Sequence, residues 1–140
     1  ACGDPWNLEV AAGWCKKLNE MLGVEILALS DTIGVSNPAT IQELFGGLIP
    51  ELPRVEFGAH LHSTPMTVLE KIDAAYKAGC RRFDGAIKGF GGCPMATDKL
   101  TGNMPTEEMI AYFNAHKIGT NLDESEFQKS IEHALHVFPK

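Results

Sequence analysis

The sequence lacks any apolar run approaching the length of a membrane span, so it supplies no hydrophobic transmembrane helix. No secretory signal pattern opens it. Positive charge is scarce: 12 Lys and Arg stand against 18 Asp and Glu, a net charge of -6, which argues against general binding to nucleic acid or to membrane surfaces. Low-complexity segments and linkers are missing too. The four cysteines, Cys2, Cys15, Cys80 and Cys93, include no CxxC pair, so a structural zinc cluster is not expected. They read as free thiols in a reducing compartment, a bacterial cytoplasm or a mitochondrial matrix. The first residue is Ala1 and not Met, as in a processed form or a fragment.

What is present is ordinary globular material. The chain has 140 residues, 44% hydrophobic and 21% charged, enough for one modest domain with a real core. Short β-rich runs alternate with amphipathic stretches. A first helix is expected from Asp4 as cap and Pro5 at the first turn, with Val10, Trp14, Leu18 and Leu22 on its inward face. "VEILALSD" (24–31) reads as a buried strand. "SNPATIQELFGGL" signals the next helix, capped by Asn37 and begun by Pro38, with Ile41, Leu44, Phe45 and Leu48 inward. A second strand, "VEFGAHLH" (55–62), precedes a third helix over 63–79. A third strand, "RRFDGAIKG" (81–89), leads to a long loop (90–105) and two more helices near 106–117 and 123–137. Asp123 and Glu126 form a capping-box pattern for the last helix.

Strands separated by helices of this length make a parallel sheet with right-handed crossovers. The fold class is therefore α/β. Three strands leave unpaired edges, and a (β/α)8 barrel needs eight strands and about 250 residues. If the chain is barrel material, part of the barrel lies outside it.

In parallel α/β proteins chemistry gathers at the C-terminal ends of the strands. Asp31 ends the first strand, where it suits either a substrate-orienting carboxylate or a turn cap. His60 and His62 lie two apart at the end of the second strand and so project to one side, as a metal pair would. The plainer alternative is two satisfied polar residues. Cys93 sits in the glycine-rich "GFGGCPMA", where a tuned thiol can serve as general acid or base, although a lone thiol is usually passive. Asn103, in "TGNMPTEE", offers an amide oxygen to a hard cation or simply a turn before a helix. Lys88, near a strand end, is placed to meet a phosphate. Lys71, Lys77, Arg81, Arg82 and Lys99 read mainly as solvated cations.

Taken in order, "LSDTIG", "AHLHST", "GFGGCPMA" and "TGNMPTEE" resemble the C-terminal half of the 3-hydroxy-3-methylglutaryl-CoA lyase family, within the wider group of metal-dependent (β/α)8 lyases and synthases. The resemblance spans essentially the whole chain and is most specific in the cysteine loop. It implies barrel strands six to eight plus C-terminal helices. It implies His60, His62 and Asn103 as ligands of a divalent metal, Mg2+ or Mn2+. It also implies Cys93 as the catalytic thiol of the loop, Asp31 as an acidic group that positions substrate, and a candidate catalytic set of Cys93, Asp31 and His60. The implied substrate-binding pair is Asp31 and Lys88. The implied reaction is retro-Claisen cleavage of 3-hydroxy-3-methylglutaryl-CoA, a step of leucine degradation, to acetyl-CoA and acetoacetate.

The family's first-strand motif, with its aspartate ligand and adjacent arginine, has no match here. Lys88 stands where many members carry a small residue, and the stretch from Cys93 to Asn103 is one residue longer than in animal members. The expectation is a chain that binds metal weakly and has little activity alone. It would be completed by the missing N-terminal half or by self-association as a homo-oligomer. A condensing synthase of the isopropylmalate or homocitrate type is the nearest rival, disfavoured because such enzymes carry a Gly-Glu-Arg stretch before the glycine-asparagine step. A non-catalytic half-barrel assembly module is the other.

Overall fold

A computed structural model describes residues 6–92, 96 and 101–138. Nothing in it is helical and apolar over a length that would cross a membrane, among the described residues. The elements run α1 (Leu8–Leu22), β1 (Ile26–Asp31), α2 (Pro38–Glu51), β2 (Glu56–Ser63), α3 (Val68–Lys77), β3 (Arg82–Phe83), a 3-10 turn (Ile87–Gly89), β4 (Gly102–Asn103), α4 (Thr106–Ala115) and α5 (Glu124–Val137).

The strand β2 is the centre of the sheet. It pairs in parallel with β1 from Ile26↔Glu56 to Asp31↔Leu61, in parallel with β3 at Gly58↔Arg82 and Ala59↔Phe83, and antiparallel with β4 at His62↔Asn103. Its odd-numbered residues Phe57, Ala59 and Leu61 join the hydrophobic core, while His60 and His62 belong to the other set of the pleat. The core is closed by helices. Ile41, Phe45 and Leu48 of α2 and Val68, Ile72 and Ala75 of α3 recur at helical spacing and are all buried.

Local sequence explains these helices well. In α2 the Asn37 side chain accepts from the Ala39 and Thr40 backbone N–H groups, Thr40 Oγ1 accepts from the Asn37 N–H at 3.0 Å, and Pro38 opens the first turn. In α5 the Asp123 side chain accepts from the Glu126 N–H at 3.0 Å. The thiols of Cys15 and Cys80 are free and buried, whereas Cys2 and Cys93 lie outside the described residues.

Four sequence expectations change. Asp4 and Pro5 lie outside the described residues, and the cap of α1 is Asn7, whose side chain accepts from the Val10 N–H at 2.8 Å. The inward face of α1 is small: Ala12 and Cys15 are buried, while Val10 (42%), Trp14 (59%) and Leu22 (69%) stay exposed. The third strand is only two residues long rather than nine. The chain turns off after Asp84, whose N–H still reaches the Ala59 carbonyl at 3.0 Å. From Ala86 on, the backbone bonds elsewhere: the Ala86 N–H to the Met104 carbonyl and the Thr106 N–H to the Ala86 carbonyl, each at 3.0 Å. Gly85 permits this, because a Cβ there would sit 2.8 Å from the Met104 carbonyl oxygen. The loop expected over 90–105 contains β4, whose pairing with β2 the sequence pattern did not signal.

Candidate active site at the strand ends

The C-terminal ends of β1 and β2, capped by β4, bring His60, His62, Asn103 and Asp31 into one neighbourhood. The imidazole rings of His60 and His62 meet edge to face with centroids 5.8 Å apart. Strand periodicity is the cause, since residues two apart project to one side.

His62 is buried, at 7% exposure. Its Nδ1 lies 3.0 Å from the Asp31 carbonyl oxygen. A carbonyl only accepts, so Nδ1 carries the proton and Nε2 keeps its lone pair in the neutral ring. That is how metal-binding histidines are oriented. His60 is half-buried, with its Nδ1 3.5 Å from Asp84 Oδ2. Asn103 is aligned with His62 across the β2–β4 pair. Its Nδ2 donates to the Phe90 carbonyl at 2.8 Å, which assigns the amide and leaves Oδ1 as the end that can take a cation. The backbone around it is packed closely: a Cβ at Gly89 would lie 2.8 Å from the Asn103 carbonyl oxygen, and Gly89 has a left-handed φ of 64°.

These donors fit a divalent cation: two imidazole nitrogens and one amide oxygen, a borderline-to-hard set. They supply part of a coordination sphere. Among the described residues, no cluster of three or more His, Cys, Asp and Glu side chains is gathered for a metal.

Asp31 ends β1 and is itself largely buried. Its Oδ1 accepts from the Val35 N–H at 3.0 Å. Its Oδ2 accepts from the Ser36 N–H at 2.9 Å, from Ser36 Oγ at 2.5 Å and from Lys71 Nζ at 3.0 Å. Burial alone would push its carboxyl up. The hydrogen bonds from Ser36 and Lys71 outweigh it and hold the group below the usual carboxylate value. The carboxylate is thus committed to its own loop and to α3. Register pairs Asp31 with Leu61, on the helix-facing side of the sheet.

Lys88 lies in the 3-10 turn with φ 56°, its N–H donating to the Glu107 carboxylate at 2.9 Å and its Nζ 3.5 Å from the same group. Glu107 therefore ties the start of the glycine-rich segment to the first turn of α4. Cys93 lies outside the described residues.

Sequence reasoning missed Lys71. It reads there as one of several solvated cations, yet it is 1% exposed. The signal was in the spacing. Val68, Lys71, Ile72 and Ala75 are the i, i+3, i+4, i+7 positions of one stripe, and a lysine in an otherwise apolar stripe needs a buried partner. Asp84, beside His60, was likewise not singled out.

Comparison with known proteins bears on the family and the fold. The chain is 33% identical over 123 residues to a hydroxymethylglutaryl-CoA lyase of Bacillus subtilis, covering 86% of this chain and 41% of the relative. It is 34% identical over 104 residues to the (R)-citramalyl-CoA lyase of Chloroflexus aurantiacus, covering 74% of this chain and 32% of the relative. The chain thus spans about a third to two fifths of the length of these relatives. The crystal structure of the Bacillus subtilis HMG-CoA lyase superposes with a TM-score of 0.85 at 28% identity, covering 98% of this chain and 47% of that one. The parallel strands and flanking helices are accordingly a portion of a (β/α)8 lyase barrel. The HMGL-like family model matches residues 6–133, and the chain belongs to the HMGL-like family.

Proposed function

We propose that the chain provides the histidine–asparagine part of the divalent-metal site of a carbon–carbon lyase acting on 3-hydroxy-3-methylglutaryl-CoA or a close acyl-CoA ester. The observation that carries the proposal is the alignment of His62 with Asn103 across β2 and β4, with His60 beside them. The lyases among its relatives support the reaction class.

A cation held by His60, His62 and Asn103, Mg2+ or Mn2+, would polarise the tertiary hydroxyl and a neighbouring oxygen of the substrate. The chain's own residues do the rest of its share. Hydrogen bonding at Nδ1 keeps His62 in the ligating tautomer. Asp31 holds the 31–36 loop at the mouth of the site through Ser36 and Val35. Lys88, held against Glu107, stands at the entry to the glycine-rich segment, where a substrate phosphate would meet it. Cys93 is assigned as the acid that protonates the departing enolate carbon.

The cleavage balances simply. The hydroxyl loses its proton, the C–C bond breaks to give a ketone, and the thioester enolate takes a proton to become acetyl-CoA. 3-Hydroxy-3-methylglutaryl-CoA leaves acetoacetate and citramalyl-CoA leaves pyruvate. The shared element is a methyl-bearing tertiary hydroxyl β to the thioester. A citramalyl-type substrate is kept as the second reading because that relative is as similar as the hydroxymethylglutaryl-CoA lyase.

The missing ligands and the arginine of the first strand must come from barrel strands outside these residues, in a longer chain or a separate partner. The test is a product assay with both thioesters, on this chain alone and on this chain joined to the N-terminal strands of a related lyase. The expected result is little turnover alone and metal-dependent acetoacetate formation by the joined protein, abolished by His62→Ala. Metal-independent turnover, or turnover indifferent to His62→Ala, contradicts the proposal.

A further inference from the structure

Lys71 makes three short hydrogen bonds from one buried ammonium: to the His62 carbonyl at 2.7 Å, to Asp31 Oδ2 at 3.0 Å and to the Gly34 carbonyl at 3.1 Å. Three acceptors use all three N–H donors of a lysine. Two of these contacts belong to a closed ring. Lys71 binds the Asp31 carboxylate, the Asp31 carbonyl accepts from His62 Nδ1, and the His62 carbonyl accepts from Lys71.

The ring sits at the last rung of the β1–β2 ladder, where β2 runs on to pair with β4. The β1–β2 ladder ends at Asp31↔Leu61, one residue short of His62. There Lys71 adds a link from α3 that joins the His62 carbonyl to the Asp31 carboxylate. The third contact, to Gly34, fixes the loop that follows β1, where Gly34 has φ 73° and a Cβ would come within 3.7 Å of the His62 Cβ. Shifting His62 relative to Asp31 would break the Nδ1 bond that selects the ligating tautomer. A lysine is suited to this task because its single head group reaches three oxygens on two strand ends and a loop, which no apolar residue at that stripe position could do.

We infer that Lys71 is a positioning residue: through the Asp31–His62–Lys71 ring it sets the orientation and tautomer of the His62 imidazole. The inference deepens the proposed function and rests on His62 being a metal ligand only for its effect on affinity. It does not touch substrate itself.

The experiment is nuclear magnetic resonance on the 15N-labelled chain. In the wild type, His62 should show the pure Nδ1–H tautomer in long-range proton–nitrogen correlation. Lys71 should show a slowly exchanging ammonium with hydrogen-bond coupling to the His62 carbonyl. The variant carries Lys71→Met together with Asp31→Asn, so that no buried carboxylate is left unpaired. It should keep its far-UV circular dichroism while His62 becomes a tautomer mixture, and Mn2+ affinity should fall about 10-fold or more, as for loss of groups that orient metal ligands. Restoring Lys71 beside Asp31→Asn should return the single tautomer. A wild-type ammonium without coupling to His62 overturns the inference, and so does an unchanged tautomer in the folded double variant. Should that variant fail to fold, the wild-type coupling still decides. A wild type that binds no Mn2+ defeats the metal-site reading and leaves the tautomer result to judge Lys71 separately.

Discussion

The two faces of the β1–β2 pair differ sharply. On the helix side Leu27, Leu29, Phe57, Ala59 and Leu61 meet the apolar stripes of α2 and α3, in a core where Phe45 is 1% and Ile72 0% exposed. On the opposite side Ile26, Ala28 and Ser30 are exposed, and His60 is half-buried. Ile26 alone is 49% exposed. One face is finished within the chain and the other presents chemistry to open space. In a barrel, that open face is the interior. The apolar core and the proposed metal site are thus separated by the pleat of the strand and meet at the strand ends, in the ring of Asp31, His62 and Lys71.

The strongest way to break the closed face is to open its centre. Phe45→Ala should cost about 3–5 kcal/mol through lost burial and the cavity left behind, read by urea denaturation. His60→Ala, on the open face, should change stability far less in the same titration. Lys71→Met should cost about 3–5 kcal/mol, because it leaves the Asp31 carboxylate buried and unpaired. Most of that loss should return when Asp31→Asn is added. A double variant as unstable as the single one would mean that Lys71 acts through packing.

A smaller effect sharpens the junction of the two faces. The Asp31 carboxyl is held below the ordinary carboxylate value, so the unfolded chain binds its proton first as pH falls. Its stabilising contribution is complete above the ordinary value of about 3.9 and fades as pH drops through the lower folded value. Denaturation midpoints measured between pH 6 and pH 2.5 should therefore fall less steeply in Asp31→Asn than in the wild type. Equal slopes would remove Asp31 from the acid response.

Cys80 probes the closed face from the alkaline side. Burial pushes its thiol up to about 11, against hydrogen bonding to Arg82 and the nearby Arg81 charge. An unfolded thiol ionises near 9, so this contribution is present below that pH and is lost as pH rises through about 11. Native Cys80 should resist iodoacetamide at pH 8 and react once urea unfolds the chain, read by peptide mass. The least effect is expected on the outer surface of α1. Trp14→Gln, at 59% exposure, should alter stability by about 0.5 kcal/mol or less.

Much of this was legible in the sequence because local rules and tertiary structure agreed. Asn37 and Pro38 announce α2, and Ile41, Phe45 and Leu48 keep helical spacing into the core. The pairing of His60 with His62 follows from the period of a strand. Where long-range contacts decide, the sequence was mute. The run 81–89 alternates like a strand, but the pairing of Ala86 with the 104–106 segment draws it off β2. The apolar spacing of Val10, Trp14, Leu18 and Leu22 implies a buried face, yet Val10, Trp14 and Leu22 are exposed, Leu18 is half-buried and only the small residues Ala12 and Cys15 are buried. Lys71 was hidden by its charge, since its burial depends on acceptors from residues 31, 34 and 62 that no local pattern connects.

The central claim is that the open face carries a metal site anchored on the two histidines. The most direct measurement is isothermal titration of Mn2+ into the purified chain beside a His60→Ala, His62→Ala double variant, with circular dichroism to show that both are folded. The account predicts weak, saturable binding by the wild type and none by the variant. Identical titrations of two folded proteins would contradict it.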